Sequence, residues 1–164
     1  MMTMMKRLGL AIVLVGSLGS VTSAETKTES TAKLAVTVPA GWKLDVKDAG
    51  IRGESKDKEV ALLVWSVDST DAAAMQKKIE GEIYSAVASV KWDKSTTGTT
   101  HGMPATYLNG SGHAVGGDMA IRAAVIGPGK TKKSLLVTLA VKTDKLDAHK
   151  AEIQTILDSV QDPK

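Results

Sequence analysis

The chain has no cysteine and no phenylalanine, and its aromatic residues are three tryptophans and two tyrosines. Without cysteine there is no disulfide, no thiol nucleophile and no thiolate metal site. With so few aromatic rings, aliphatic side chains must fill the core. Charge of one sign is also in short supply. The chain carries 21 basic and 18 acidic residues, and two of the bases, Lys6 and Arg7, lie at the extreme N-terminus. Setting residues 1–24 aside leaves 19 bases against 18 acids, a net charge of +1. The one-signed footprint of a nucleic-acid binder is therefore missing.

Past the N-terminus no run is apolar enough to span a membrane. The N-terminus itself has three parts: Lys6-Arg7, an apolar stretch from Leu8 to Val15 continued by Leu18 and Val21, and the small residues Thr22-Ser23-Ala24. This is the pattern of a secretory signal peptide over 1–24, cleaved after Ala24. It implies export to the periplasm or the extracellular space with no stable membrane anchor after cleavage. The absence of cysteine also excludes lipidation of a new N-terminal cysteine.

The remaining 140 or so residues suit one domain. Residues 25–33 are rich in Thr, Glu, Lys and Ser without apolar period and are expected to form a flexible leader. A single α+β domain then occupies 34–162. Alternation marks strands at Leu34–Val38, at Trp42–Lys47 (half-buried) and at Ile51–Ser55, whereas Val60–Val67 is apolar nearly throughout, as in an interior strand. Ala72, Met75, Ile79, Ile83, Ala86, Val87 and Val90 recur every three or four residues and predict a helix over about 70–90, capped by Ser69 or Thr70. Lys91–Thr100 leads into a meander of Ala105–Val115, Asp118–Ile126 and Ser134–Val141. Its first turn is placed at Gly116-Gly117 rather than Asn109-Gly110. Gly110 and Gly112 suggest a bulge or bend in the long strand. Leu135, Val137, Leu139 and Val141 are expected to continue the apolar face formed by Met119, Ile121, Ala123 and Val125. Leu146, Ile153, Ile156, Leu157 and Val160 predict a final helix over about 144–161. The sum is a mostly antiparallel sheet of about six to seven strands with two packed helices.

Three short markers stand in this layout: V-P-A-G-W at 38–42, H-G-M-P-A at 101–105 and I-L-D-S at 156–159. Together they resemble the PsbP-like α/β/α sandwich, including the small exported bacterial domains related to it. That resemblance implies an accessory domain that binds or helps assemble another component, usually without known catalysis. No catalytic residues belong to its pattern, so none are carried over.

Ala124–Thr131 ends like a phosphate-binding loop, but Ala124 stands where the first glycine is needed and strand formers follow where a helix should start. Gly110-Ser111-Gly112 likewise opens no helix. Ser111, His113 and Asp118 offer the residue types of a hydrolase without a strand-to-helix nucleophile elbow. A copper-handling alternative draws on His101, Met103, His113 and Met119, whose soft and imidazole donors suit that metal if they converge. His149, between Leu146 and Ile153, reads as packed at the core edge. Arg122, among alanines on a strand, is suited to pairing an acid or recognising a carboxylate. With Thr138 it is taken as the ligand or partner face. The expectation is a non-enzymatic exported binding or accessory protein without a cofactor, whose partner is another exported or envelope protein.

Overall fold

A computed structural model describes residues 23–164. The signal-peptide reading therefore falls almost wholly outside the described residues. In order, the chain forms β1 (Glu25–Thr28), β2 (Ala35–Val38), β3 (Lys43–Lys47), β4 (Gly50–Glu54), β5 (Val60–Val67), α1 (Ala72–Ile83) and β6 (Val87–Trp92). There follow β7 (Thr96–Thr100), β8 (Met103–Ala114), β9 (Gly117–Ile126), β10 (Ser134–Lys142), a 3-10 turn at Thr143–Lys145 and α2 (Leu146–Asp158). The fold is α+β, as expected. Eight strands make one antiparallel sheet in the order β3-β4-β5-β10-β9-β8, with β6 and β7 both paired to the outer side of β8. β1 and β2 form a separate pair.

Each face of the sheet carries one helix over its own core. Met75, Ile79 and Ile83 of α1 pack with Leu108, Ile121, Ala123, Val125 and Leu136. Ile153, Ile156 and Leu157 of α2 pack with Ala124, Ile126, Leu135, Val137 and Leu139. Both strands at the centre, β9 and β10, are thus covered on two sides, which accounts for their nearly unbroken apolar sequences. The faces differ from expectation in one respect. β10 pairs Leu139 with Arg122 and Val137 with Ala124. Leu135, Val137, Leu139 and Val141 therefore lie on the α2 face, opposite Ile121, Ala123 and Val125.

Four local expectations also change. Glu25–Thr28, read as part of a flexible leader, is a strand in register with β2, from Glu25 opposite Val38 to Thr28 opposite Ala35. The following turn is held by Glu29, 2% exposed, whose carboxylate accepts from the N–H groups of Thr31 (3.0 Å) and Ala32 (2.6 Å). β3 is mostly exposed rather than half-buried, because it is an edge strand and Val46 lies open. α1 ends at Ile83, not near 90. Val87 and Val90 continue its spacing, but Ser89 has φ +54°, and Val87 pairs with Ala114 of β8. Strand pairing wins over helical periodicity there. At the other end Asp71 is the cap, accepting from Ala74 N at 2.9 Å, while Ser69 accepts from Asp71 N.

The turn between β8 and β9 is Val115-Gly116, with Gly116 at φ +97° and Gly117 at φ +133° beginning β9. Asn109-Gly110 lies inside the strand. The β8–β9 register runs without a break from Ala105–Ile126 to Ala114–Gly117. The irregularity suggested by Gly110 and Gly112 belongs instead to the β6–β8 pairing, where the register shifts between Ala88 and Lys91. Gly110 faces the Trp92 ring and Gly112 faces Val87, each closer than a Cβ would tolerate.

Candidate functional site

Arg122 sits in β9 opposite Asn109 of β8 and Leu139 of β10. Thr138 stands opposite Ala123, one position out of step, so the two-residue period of the strand turns it to the α1 face. It is 2% exposed, and its hydroxyl has no hydrogen-bond partner among the described residues. Arg122 and Thr138 do not share a face.

Arg122 is half-buried in a cleft of about 430 Å³ on the α2 face. Its floor is Tyr107 and Asn109 of β8 beside Arg122, and its rim at the sheet edge is Thr96 of β7. Its roof is one flank of α2: Leu146, Lys150, Ile153, Gln154 and Leu157, at helical spacings of three and four. The alanines at 120 and 124, the same-face neighbours of Arg122, leave room for its long side chain. Among the described residues two cations and no acid line this cleft. The guanidinium donates from Nη1 to the Ile121 carbonyl at 2.9 Å. No acid among the described residues pairs with it, so the ion pair anticipated for an arginine on this strand is not formed. Two other clefts among the described residues are charge-mixed. The one over β3 and β4 has Asp45 and Glu82 with Lys47 and Arg52, and the one beside Trp42 has Asp57 and Glu152 with Lys56.

A second cluster forms where α2 meets the β4–β5 loop. His149, 6% exposed, contacts Glu59 at 2.8 Å and Asp57 at 3.2 Å through Nε2, and Glu152 at 3.5 Å through Nδ1. Lys145 adds a contact to Glu59 at 3.3 Å, and Trp42 Nε1 donates to Glu152 at 2.7 Å. Ser55 shapes the loop: its hydroxyl donates to Asp57 at 2.5 Å and accepts from Val60 N at 3.0 Å. The Glu59 carboxylate holds the His149 pKa above its ordinary value, with Asp57 and Glu152 assisting and burial opposing. In return the bond from His149 lowers the pKa of Glu59, and the Ser55 hydroxyl lowers that of Asp57. Asp57, Glu59 and His149 each offer a donor atom within 4.8 Å of the others, enough for three ligands to a divalent cation. Hydrogen bonds within the group account for the same geometry. The sequence placed His149 at the core edge but gave no sign of Asp57 and Glu59, which lie about ninety residues away and look like a solvated charge run.

His101, Met103, His113 and Met119 are not brought together. His101 precedes β8 at φ +48° and contacts the Asp158 carbonyl at 3.0 Å. Met103 is buried in the core under α2, and Met119 packs on the α1 side. His113 is at the far end of β8, roughly 40 Å from His101 at about 3.3 Å per residue, where its Nδ1 contacts Asp118 at 2.5 Å. Since β8 pairs with β9 without a bulge, Met103, Tyr107, Ser111 and His113 do share a face, but strung along its length. Among the described residues no hydrogen bond joins Ser111 to His113, so the hydrolase set is also incomplete. The Gly127–Lys133 stretch is the β9–β10 connection, not a phosphate loop.

An antiparallel sheet with one helix on each face and a paired N-terminal strand defines an α/β/α sandwich. Compared by sequence, the chain matches no family model and no curated protein. Compared by structure, it is similar to cyanobacterial PsbP (CyanoP) from Synechocystis sp. PCC 6803, with TM-score 0.64 and 15% identity over 90% of this chain and 98% of that one. It is also similar to the Saccharomyces cerevisiae Ran-binding protein Mog1p (TM-score 0.57, 11% identity, 84% and 94% covered). A third is LpqN of Mycobacterium tuberculosis, involved in cell envelope biogenesis (0.52, 14%, 78% and 82%). The fold is PsbP-like, as the three sequence markers suggested.

Proposed function

We propose that the protein is an exported, non-enzymatic binding or assembly-accessory domain that holds a carboxylate-bearing partner in the Arg122 cleft. The observation that carries this reading is an arginine with no acid partner among the described residues, in a concave surface lined by Lys150 and no carboxylate. A planar, five-donor cation in that setting is matched to a carboxylate. The apolar flank of α2 supplies contact for the aliphatic part of the same ligand. Two neighbours of this fold agree in kind, one named as Ran-binding and one as involved in cell envelope biogenesis. The N-terminal pattern of residues 1–24 favours export, and the partner is then another exported or envelope protein. No helix of the described residues is long and apolar enough to cross a membrane.

The test is the melting temperature of the protein from Glu25 onward against a panel of mono- and dicarboxylates. A ligand at 100 times its dissociation constant adds about 2.7 kcal/mol, a rise of about 3–6 °C for a domain of this size. The rise is expected in the unaltered protein and absent in Arg122→Ala. A panel in which Arg122→Ala responds like the unaltered protein would reject the site.

A further inference from the structure

The two edges of the sheet are guarded unequally. β3, at one edge, carries Lys43, Asp45 and Lys47, charges that discourage another strand from pairing. β7, at the other, is Thr-Thr-Gly-Thr-Thr, with four of its five residues exposed and no charge, proline or bulge. Among the described residues it pairs with β8 alone. Antiparallel partners alternate between exchanging hydrogen bonds and turning them away. Pro104, opposite Thr99, has no N–H, and its carbonyl accepts from Gly127 N at 2.9 Å on the β9 side. The Thr99–Pro104 pair is therefore a non-bonded one, and so is Thr97–Thr106, two residues along. The N–H and C=O groups of Thr97 and Thr99 consequently point away from the sheet, unpaired by any strand of the described residues.

This open edge meets the cationic cleft. Thr96 begins β7 and forms the rim of the cleft; it stands opposite Tyr107, which stands opposite Ala124, so the β9 backbone at Arg122 lies two strand spacings across and two residues along, about 12 Å away. We infer that β7 receives an extended segment of a partner protein as an added strand, with acidic residues at the end that passes Thr96 lying against Arg122 and Lys150. Main-chain bonds to Thr97 and Thr99 supply register, and the cleft selects the acidic sequence, the usual division of labour in strand addition. An acidic segment is the occupant because the cleft holds positive charge only. The inference rests on the reading of that cleft as a carboxylate site.

The experiment selects binders from a displayed library of random ten-residue segments and measures the strongest against three proteins: unaltered, Thr97→Pro and Arg122→Ala. Proline at 97 removes only an outward N–H, so the β7–β8 ladder keeps its bonds. Selected segments are expected to alternate β-branched residues and carry acids at one end, with affinity falling at least tenfold in both variants. Amide exchange at Thr97 and Thr99 is expected to slow in the complex. Binding that survives Thr97→Pro but is lost in Arg122→Ala overturns strand addition and leaves the cleft reading intact. Segments indifferent to both variants overturn the added strand and its seat in the cleft, and segments lost in Thr97→Pro but indifferent to Arg122→Ala overturn the acidic occupant of the cleft. Should Thr97→Pro fail to fold, unchanged exchange at Thr97 and Thr99 in the unaltered protein is sufficient to reject the added strand. Concentration-dependent dimerisation lost in Thr97→Pro would make the occupant a second copy of this chain and overturn the assignment to a partner.

Discussion

At the scale of single residues, His149 and Arg122 show opposite uses of charge. His149 is enclosed with its counter-charges, and its protonation is linked to folding. Its pKa is raised in the folded state, so its contribution is complete below the unfolded value near 6.5 and is lost as pH rises through the higher folded value. Glu59 and Asp57 are lowered, so their contributions hold above about 4.5 and 3.8 and fade as pH falls. The cluster therefore stabilises most between roughly pH 4.5 and 6.5. Urea unfolding across pH 4–9 is expected to show stability declining on the alkaline side, and His149→Gln is expected to flatten that decline. A decline of equal slope in the variant would assign the pH dependence to other groups. Arg122 has no such counter-charge among the described residues, so Arg122→Ala is expected to change stability by less than about 1 kcal/mol while removing ligand response. A loss of several kcal/mol would make it a structural residue. Glu29 is the third informative case. Removing its carboxylate leaves two N–H groups unsatisfied, and Glu29→Ala is expected to cost about 1–3 kcal/mol, measurable as a fall in the urea midpoint. An unchanged midpoint would return 25–33 to the status of a leader.

At the scale of elements, β8 is the strand on which the sheet depends, pairing with β9 on one side and with β6 and β7 on the other. Its glycines exist for the second side. A Cβ at Gly110 would lie 2.8 Å from the Trp92 ring, and one at Gly112 would lie 2.5 Å from Val87 Cγ1 and 3.0 Å from the Ala88 carbonyl. Gly112→Ala is expected to destabilise by about 1–3 kcal/mol through overpacking. Hydrogen exchange should show β6 loosening before β10, because β6 occupies the edge and β10 the centre. A variant as stable as the original would mean that β6 shifts at no cost. The glycines were visible in the sequence as an irregularity, but not which strand would absorb it. The same limit explains α1. Its stripe from Met75 to Ile83 is helical, whereas Val87 and Val90 keep the spacing only because a strand facing the same core also needs apolar residues there.

For the whole molecule, two cores share one sheet, so neither can open without exposing the other side of β9 and β10. Trp42 belongs to the α2-side core, and Trp65 and Trp92 pack on the α1 side. Unfolding followed by tryptophan fluorescence and by far-UV circular dichroism is expected to give coincident transitions. Separate midpoints would show that the two layers unfold independently.

The sequence by itself determined the class of fold, most strand positions, the helical stripes of α1 as far as Ile83 and of α2, the β8–β9 turn to within one residue and the chemistries lacking a residue set. These follow from local periodicity, turn residues and composition, which act between near neighbours. The tertiary structure alone decided which residues meet: Glu59 with His149, Arg122 with the α2 flank, Thr138 away from Arg122, and β1 with β2. A one-residue difference in register reverses a side chain's face, and contacts spanning ninety residues leave no local signature. The fold was therefore legible in the chain, and the candidate site only as one isolated arginine.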